Sequence, residues 1–220
     1  MENIVIIGSS GHAKVIIDIV VQEGRFHIVG LLDCFRDIGE ETLGYPLLGG
    51  EENLPELIKA HNLKGVIVGI GDNVVRSLVV ARIKEISPDI PFVTAIHPNA
   101  SIAMDILIGE GTVVMAGVVI ATCSSVGRFC ILNTNSSLEH DSVLGDFASL
   151  APGAMTGGNC HVGRYTAVSI GAVLIHGIQV GEHSVIGAGA LVLKSIDSFV
   201  IAYGTPAKFI QNRKQGDKYL

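Results

Sequence analysis

His140, Gly158 and His176 are spaced eighteen residues apart, and they carry the chemistry the chain offers most plainly. His140 stands between two acids in Leu138-Glu139-His140-Asp141, at the end of a polar stretch that begins at Asn133. A neutral imidazole titrates near physiological pH and can take a proton from an attacking amine or hydroxyl. It needs a partner that fixes its tautomer and stabilises the imidazolium, and Asp141 or Glu139 could be that partner. Gly158 has no side chain, so a ligand can approach its backbone N–H, which could donate to a thioester carbonyl as negative charge develops. His161 and His183 fall next to corners of the repeat described below and read as solvated surface, and His176 reads as a groove-lining residue or a bland one. His140 and His176 are too far apart to share one metal ion, so no metal site is expected.

These residues sit inside a repeat. Stepping by six from Ile102 to Val192, every position is aliphatic except Thr156. Four residues after each anchor the side chain is mostly small, as at Ser124, Cys130, Ser136, Ser142 and Cys160, with Ile106, Ile178 and Ile196 as exceptions. Glycine follows the anchor at Gly109, Gly127, Gly145, Gly163 and Gly181, so three hexads make one coil. This is the signature of a parallel β-helix, a triangular prism of short strands stacked at ~4.8 Å with the anchors inside. In this reading glycine permits a tight corner backbone. His140, Gly158 and His176 then share one column. A sandwich of short strands would alternate with period two and would not hold a strict period of six.

The first part of the chain reads differently. Ile4–Ile7 is a short buried strand, followed by Gly8-Ser9-Ser10-Gly11-His12-Ala13-Lys14, a helix to about Val21, and a strand Ile28–Leu32 ending at Asp33. This is a β–glycine turn–α–β–acid unit of Rossmann type, whose turn can present N–H groups to a phosphate. Its GxxG spacing falls short of the dinucleotide fingerprint. Gly44–Gly50 reads as a surface hairpin or loop and Leu54–His61 as a helix. Val66–Ile70 reads as a third strand, and Gly71-Asp72-Asn73 after it opens a helix carrying Arg76. Phe92–Ile96 reads as a last strand, and His97-Pro98-Asn99 as the turn into the repeats. The expected organisation is a Rossmann-like α/β domain over 1–98, a parallel β-helix over 99–200 and a tail over 201–220.

Composition narrows the classes. The chain has 220 residues, a formal charge of −6 and no Lys/Arg cluster, so no nucleic-acid partner is expected. The longest apolar run, 113–121, is too short to span a bilayer, and the start lacks a positive n-region, so a soluble cytoplasmic protein is expected. Cys34, Cys123, Cys130 and Cys160 form no CxxC pair, so neither a disulfide framework nor a zinc knuckle is indicated. Cys130 and Cys160 occupy small interior positions, which favours a structural role.

The hexads, the Leu138–Asp141 stretch and the closing Tyr203-Gly204-Thr205-Pro206-Ala207-Lys208 resemble the left-handed β-helix acyltransferases. With the Gly8-Ser9-Ser10-Gly11-His12 start and the Ile70-Gly71-Asp72-Asn73 turn, the chain is similar to the bacterial nucleotide-aminosugar N-acetyltransferases and the related sialic acid O-acetyltransferases. The resemblance implies a left-handed coil, acetyl-CoA as co-substrate, and a homotrimer with active sites between neighbouring β-helices. It implies His140 as base, Asp141 as its orienting acid, Asn133 near the reacting groups and the Gly158 amide on the acetyl carbonyl. Acetyl-CoA would run toward Ile175, Gly187 and the segment of Gly204, Pro206 and Lys208. A nucleotide sugar, with uridine diphosphate as the expected carrier, would lie against Gly8, Ser10, Gly11, His12, Asp33, Gly71, Asp72 and Asn73. Cys34, Asp141 and Ser149 depart from relatives that carry a second acid, a glutamate and a second histidine there. Two further readings stay open: acetylation of a sugar hydroxyl such as that of sialic acid, and a non-catalytic scaffold that only binds a sugar nucleotide.

Overall fold

The structure is a computed structural model and describes residues 1–218. The chain divides into two compact units, Met1–Pro98 and Asn99–Leu220.

In the first unit, the β-branched run Ile4–Ile7 is fully buried and forms the centre of a parallel sheet. Its elements in chain order are β1 (Glu2–Ile7), α1 (Gly11–Glu23), β2 (Phe26–Leu32), α2 (Leu54–His61), β3 (Gly65–Val68) and α3 (Asn73–Ile86). The strand order is β2-β1-β3, so successive strands are added on opposite sides of β1. Helix α1 buries Ala13, Ile16, Ile17, Ile19 and Val20 on one face and ends at Gly24, whose φ of +68° suits a left-handed cap. The third strand spans Gly65–Val68 and stops short of the expected Ile70; just beyond it Gly69 packs closely on α1, where a Cβ would stand 3.0 Å from the Ala13 Cβ. The expected strand Phe92–Ile96 is reduced to a bridge from Phe92 to Val66 and the pair Ala95–Ile96. The Gly44–Gly50 region is a tight hairpin that pairs Glu41–Thr42 with Tyr45–Pro46 and returns Leu47 to the core beside Leu31.

The second unit is a three-faced parallel solenoid. Its first face is six strands high, from Ser101–Ile102 to Leu191–Val192. The second runs from Leu107–Ile108 to Gln179–Val180, and the third from Val113–Val114 to Val185–Ile186. Each strand lies beside the one eighteen residues away, so Leu138 pairs with Ile120, Leu144 with Val126 and Leu150 with Leu132. The anchors from Val114 to Val192 are all buried, Thr156 included. An antiparallel hairpin, Val200–Gly204 with Ala207–Asn212, closes the third face.

The small residues do more than save space. Thr112 Oγ1 donates to the Gly127 carbonyl and accepts the Cys130 N–H, both at 2.9 Å, and Thr166 makes the same pair of bonds with Gly181 and Ser184. Ser124 and Ser142 repeat the pattern on another corner. Hydroxyls recur at this position because each donates to a carbonyl of the next coil and accepts that coil's amide.

The glycines after the anchors have another cause than the expected corner conformation. At Gly109 and Gly163 a Cβ would stand 2.6 Å from the next coil's backbone. The left-handed corner lies two residues further on. From 111 to 189 every sixth residue has φ between +55° and +72°.

Candidate active site

The three corners share this backbone and differ in what they carry. The corner after the first face holds Thr122-Cys123, His140-Asp141, Gly158-Asn159 and His176-Gly177 in successive coils. Coil stacking is direct here: the Asn159 N–H donates to the His140 carbonyl at 2.8 Å and the Gly177 N–H to the Gly158 carbonyl at 2.9 Å. Of the two acids beside His140, the structure selects Asp141, whose Oδ2 lies 2.8 Å from His140 Nδ1. An ionised carboxylate only accepts, so the proton sits on Nδ1 and Nε2 carries the free lone pair. Asp141 has φ +57°, a conformation that aspartate tolerates better than most residues. Both side chains are 59% exposed, so the pair is oriented yet open.

Gly158 serves a purpose the sequence did not suggest. A Cβ there would collide with Cε1 and Nε2 of the His140 ring. The missing side chain is first of all the seat of the imidazole. Among the described residues none accepts the Gly158 N–H.

Other expected site residues lie on a different corner, the one after the third face. Asn133 follows Leu132 there, and its side-chain amide donates to the Leu150 carbonyl at 2.8 Å. Gly187 stands in the same column, pressed against the Tyr203 side chain. The Gly204–Lys208 segment is the tip of the closing hairpin, where Thr205 Oγ1 donates to the Gly189 carbonyl at 3.3 Å and Pro206 follows a cis bond. Ile175 stays with His176 on the histidine corner. One coil therefore does not bring Asn133 or Gly187 to His140.

His183 corrects its expected place. It is buried, 5% exposed, and stacks between Tyr165 and Phe199 at centroid distances of 4.5 and 4.9 Å. Phe129, Phe147 and Tyr165 continue the column at 5.0 and 5.1 Å on the corner after the second face. Burial pushes the His183 imidazole below its usual value, Arg164 and Arg213 push the same way, and Glu182 opposes them. The sequence signal was there: positions 129, 147, 165 and 183 are aromatic or imidazole at the coil period.

In the first unit the glycine turn is held by its acid. Asp33 Oδ2 accepts from the Ser9 N–H at 3.0 Å and from Ser9 Oγ at 2.6 Å, while Oδ1 accepts the Phe35 N–H at 2.9 Å. Gly8, with φ +101°, donates to the Leu32 carbonyl and has Gly69 O and Ile70 at the place of a side chain. Ser10 caps α1 by its backbone alone, and Gly11 opens the helix with free space above its Cα. Asp72 spends its Oδ1 on capping α3 through the Val74 and Val75 amides, both at 2.9 Å. Asn73 is fully buried and accepts from Arg76 at 2.7 Å; Arg76, 1% exposed, also donates to the carbonyls of Ile70 and Gly71. His12 has its Nε2 buried without a partner, and burial, with help from Arg76, lowers its pKa to about 4. It is a neutral imidazole at physiological pH.

A cavity of about 400 Å³ opens at this edge of the sheet. Gly8, Ser10 and Asp33 line it, and Gly11, His12, Gly71, Asp72 and Asn73 do not. Its remaining wall includes Phe35, from the Leu32-Asp33-Cys34-Phe35 turn at the C-terminal end of β2 where an open α/β sheet is expected to bind ligands, and Glu51, Val75, Leu78, Val79 and Arg82, which the sequence reading passed over. The missed signal is on α3. Positions 75, 78, 79 and 82 form one stripe of that helix, and its core face instead buries Asn73 and Arg76 with Val80 and Ile83. Among the described residues no cluster of three or more His, Cys, Asp or Glu could hold a metal, and no helix is long and apolar enough to cross a membrane.

A Rossmann-like unit followed by a hexapeptide β-helix with a histidine–aspartate pair on one corner defines a class, the β-helix acyltransferases. A family model described as the PglD N-terminal domain matches residues 3–83. A variant of perosamine N-acetyltransferase from Caulobacter crescentus, solved with CoA and GDP-perosamine, superposes with a TM-score of 0.90 at 32% identity, covering 96% of this chain and 98% of that one. The acetyltransferase domain of PglB from Neisseria gonorrhoeae, solved with acetyl coenzyme A, gives 0.86 at 26% identity, covering 95% and 99%. The UDP-N-acetylbacillosamine N-acetyltransferase of Bacillus subtilis is 33% identical over 122 residues; that match spans about half of each protein, 53% of this chain and 52% of the relative. The chain belongs to the hexapeptide-repeat nucleotide-aminosugar N-acetyltransferases, and its solenoid is left-handed.

Proposed function

We propose that the protein transfers the acetyl group of acetyl-CoA to the amino group of a nucleotide-linked 4-amino-deoxysugar. The observation that carries this is the His140–Asp141 pair at 2.8 Å, with the imidazole seated over Gly158. Asp141 keeps the proton on Nδ1 and stabilises the cation that forms. His140 Nε2 accepts the proton that leaves the amine as its nitrogen bonds to the acetyl carbon. The Gly158 N–H donates to the carbonyl oxygen as it becomes an oxyanion. When the carbon–sulfur bond breaks, His140 returns its proton to the departing thiolate, so the products are the N-acetyl sugar and CoA thiol.

The solved relatives hold CoA or acetyl-CoA, which supports acetyl-CoA as the co-substrate. The split of site residues between two corners supports assembly as a trimer. The histidine corner of one copy would meet the Asn133 and Gly187 corner of the next, with Gly204, Pro206 and Lys208 on the same side. In this reading the domains work as expected: 1–98 holds the nucleotide, 99–200 performs transfer and the tail from 201 borders the CoA groove. Uridine diphosphate was the expected carrier. The relatives' names include both UDP and GDP, so the carrier is decided by the chemistry of the cavity.

The test is release of thiol from acetyl-CoA with UDP- and GDP-linked 4-amino-deoxysugars and with free sialic acid. Thiol is expected with an aminosugar nucleotide and none with sialic acid. Release with sialic acid alone would replace the amine by a hydroxyl acceptor, and release with none would overturn transfer.

A further inference from the structure

The cavity of the first unit has an unusual wall. Phe35 is 92% exposed, Leu78 64% and Val75 47%, three apolar side chains standing open around one space. A flat ligand with an apolar face would cover them, and a nucleobase has such a face together with a polar edge. The same cavity holds one ion pair, Arg82 Nε to Glu51 Oε2 at 2.9 Å. The Glu51 side chain is only 13% exposed, and that of Arg82 58%. Asp33, the other carboxylate on the wall, already has both oxygens engaged by Ser9 and Phe35. Glu51 is thus the carboxylate with capacity to spare; burial holds its carboxyl above the usual range, and Arg82 opposes that push while Glu52 and Asp33 add to it.

An ionised carboxylate accepts and cannot donate, so it reads a base edge with two adjacent donors. Guanine alone among the common bases presents that edge, through N1–H and the N2 amino group. Uracil and thymine place one N–H between two carbonyls, and adenine and cytosine place an amino group beside a bare ring nitrogen. Each would set a lone pair against a carboxylate oxygen. Arg82 has further N–H groups that can reach the guanine O6.

We propose that Glu51, supported by Arg82, selects guanine, so that the sugar is carried on guanosine diphosphate. This rests on the nucleotide-sugar reading above and fixes its base. Expected affinities follow from a two-bond contact: loss of one bidentate base contact is worth about tenfold or more.

The experiment is calorimetric titration of the full-length protein with GDP and with UDP, repeated on Glu51→Gln and Arg82→Gln. Wild type should bind GDP at least about tenfold more tightly than UDP. Glu51→Gln, which puts an amide donor against a base donor, should lose about tenfold in GDP affinity while UDP changes less than about twofold. Arg82→Gln should weaken GDP in the same sense by less. Unchanged CoA binding and melting temperature would show that the variants fold. Binding of UDP as tight as or tighter than GDP, or equal losses for both in Glu51→Gln, overturns the guanine assignment and leaves the aminosugar reading standing. Binding of neither nucleotide to wild type overturns that reading and this inference together.

Discussion

Two corners of the same prism carry the same backbone turn and use it in opposite ways. On the aromatic corner the left-handed position holds Phe129, Phe147, Tyr165 and His183, with φ from +55° to +60°. Such residues pay roughly 1–2 kcal/mol each for that conformation, and an aromatic pair returns roughly 0.5–1.5 kcal/mol, so burial of the rings decides the balance. One position earlier the side chains alternate in charge, and Arg128 meets Asp146 at 2.7 Å while Arg164 meets Glu182 at 2.5 Å. These exposed pairs add little, about 0–1 kcal/mol each. On the histidine corner the same position holds Cys123, Asp141, Asn159 and Gly177, with nothing stacked. Asp141 instead bonds sideways to His140 and leaves the ring open. Regularity along a column therefore marks stability, and a break in the column marks chemistry.

The largest effect should come from removing the base. His140→Ala is expected to lower kcat by roughly 10²–10⁴ with CoA affinity nearly unchanged, measured by thiol release and calorimetry. A rate close to wild type would take His140 out of the reaction. Gly158→Ala sharpens the point, because it alters the seat and keeps the histidine itself. The added methyl displaces the imidazole, and a misplacement of this size costs on the order of 10² in rate. A Gly158→Ala enzyme with normal kcat would show that the ring need not lie there.

The solenoid was legible because each anchor must point inward and each coil must match the last, so the sequence repeats the geometry. The His140 column was legible by the same arithmetic. What escaped was lateral. Nothing in the spacing says that Gly158 yields space to His140, or that the hydroxyls of Thr112 and Ser142 each tie to a carbonyl and an amide of the next coil. His183 was misplaced because a histidine suggests solvent, and only its neighbours at 165 and 199 reveal a stack. In the first unit the strand–turn–helix order was readable, but Asp72 and Asn73 turned out to be committed to α3 and Arg76. The cavity wall was hidden because α3 turns its polar residues Asn73 and Arg76 to the core and its apolar stripe outward.

The aromatic corner offers the converse test. Phe147→Ala keeps the strained φ and removes a ring that contacts two others. Burial of Phe147 is partial, so about 2 kcal/mol is expected, below the usual range for a fully buried ring. That lowers the melting temperature by about 4–8 °C, with kcat unaltered at temperatures where the protein is folded. A loss of activity without loss of stability would erase the distinction between the two corners.

The smallest effect separates the two histidines by pH. The folded-state pKa of His183 lies below its unfolded value of about 6.5, so the unfolded chain binds more protons between the two. Stability from this group is complete above the unfolded value and is lost as pH falls below it toward the folded one. His12, also lowered, contributes with the same sign and is common to both proteins compared. Melting temperature should therefore drop between pH 7 and pH 5 in wild type, and drop less in His183→Phe, which keeps the stack and cannot be protonated. The difference should be on the order of 1–3 °C by melting curves at the two pH values. An equal drop in both would mean that the ring at 183 reaches water in solution, and the column would then lose its claim to be purely structural.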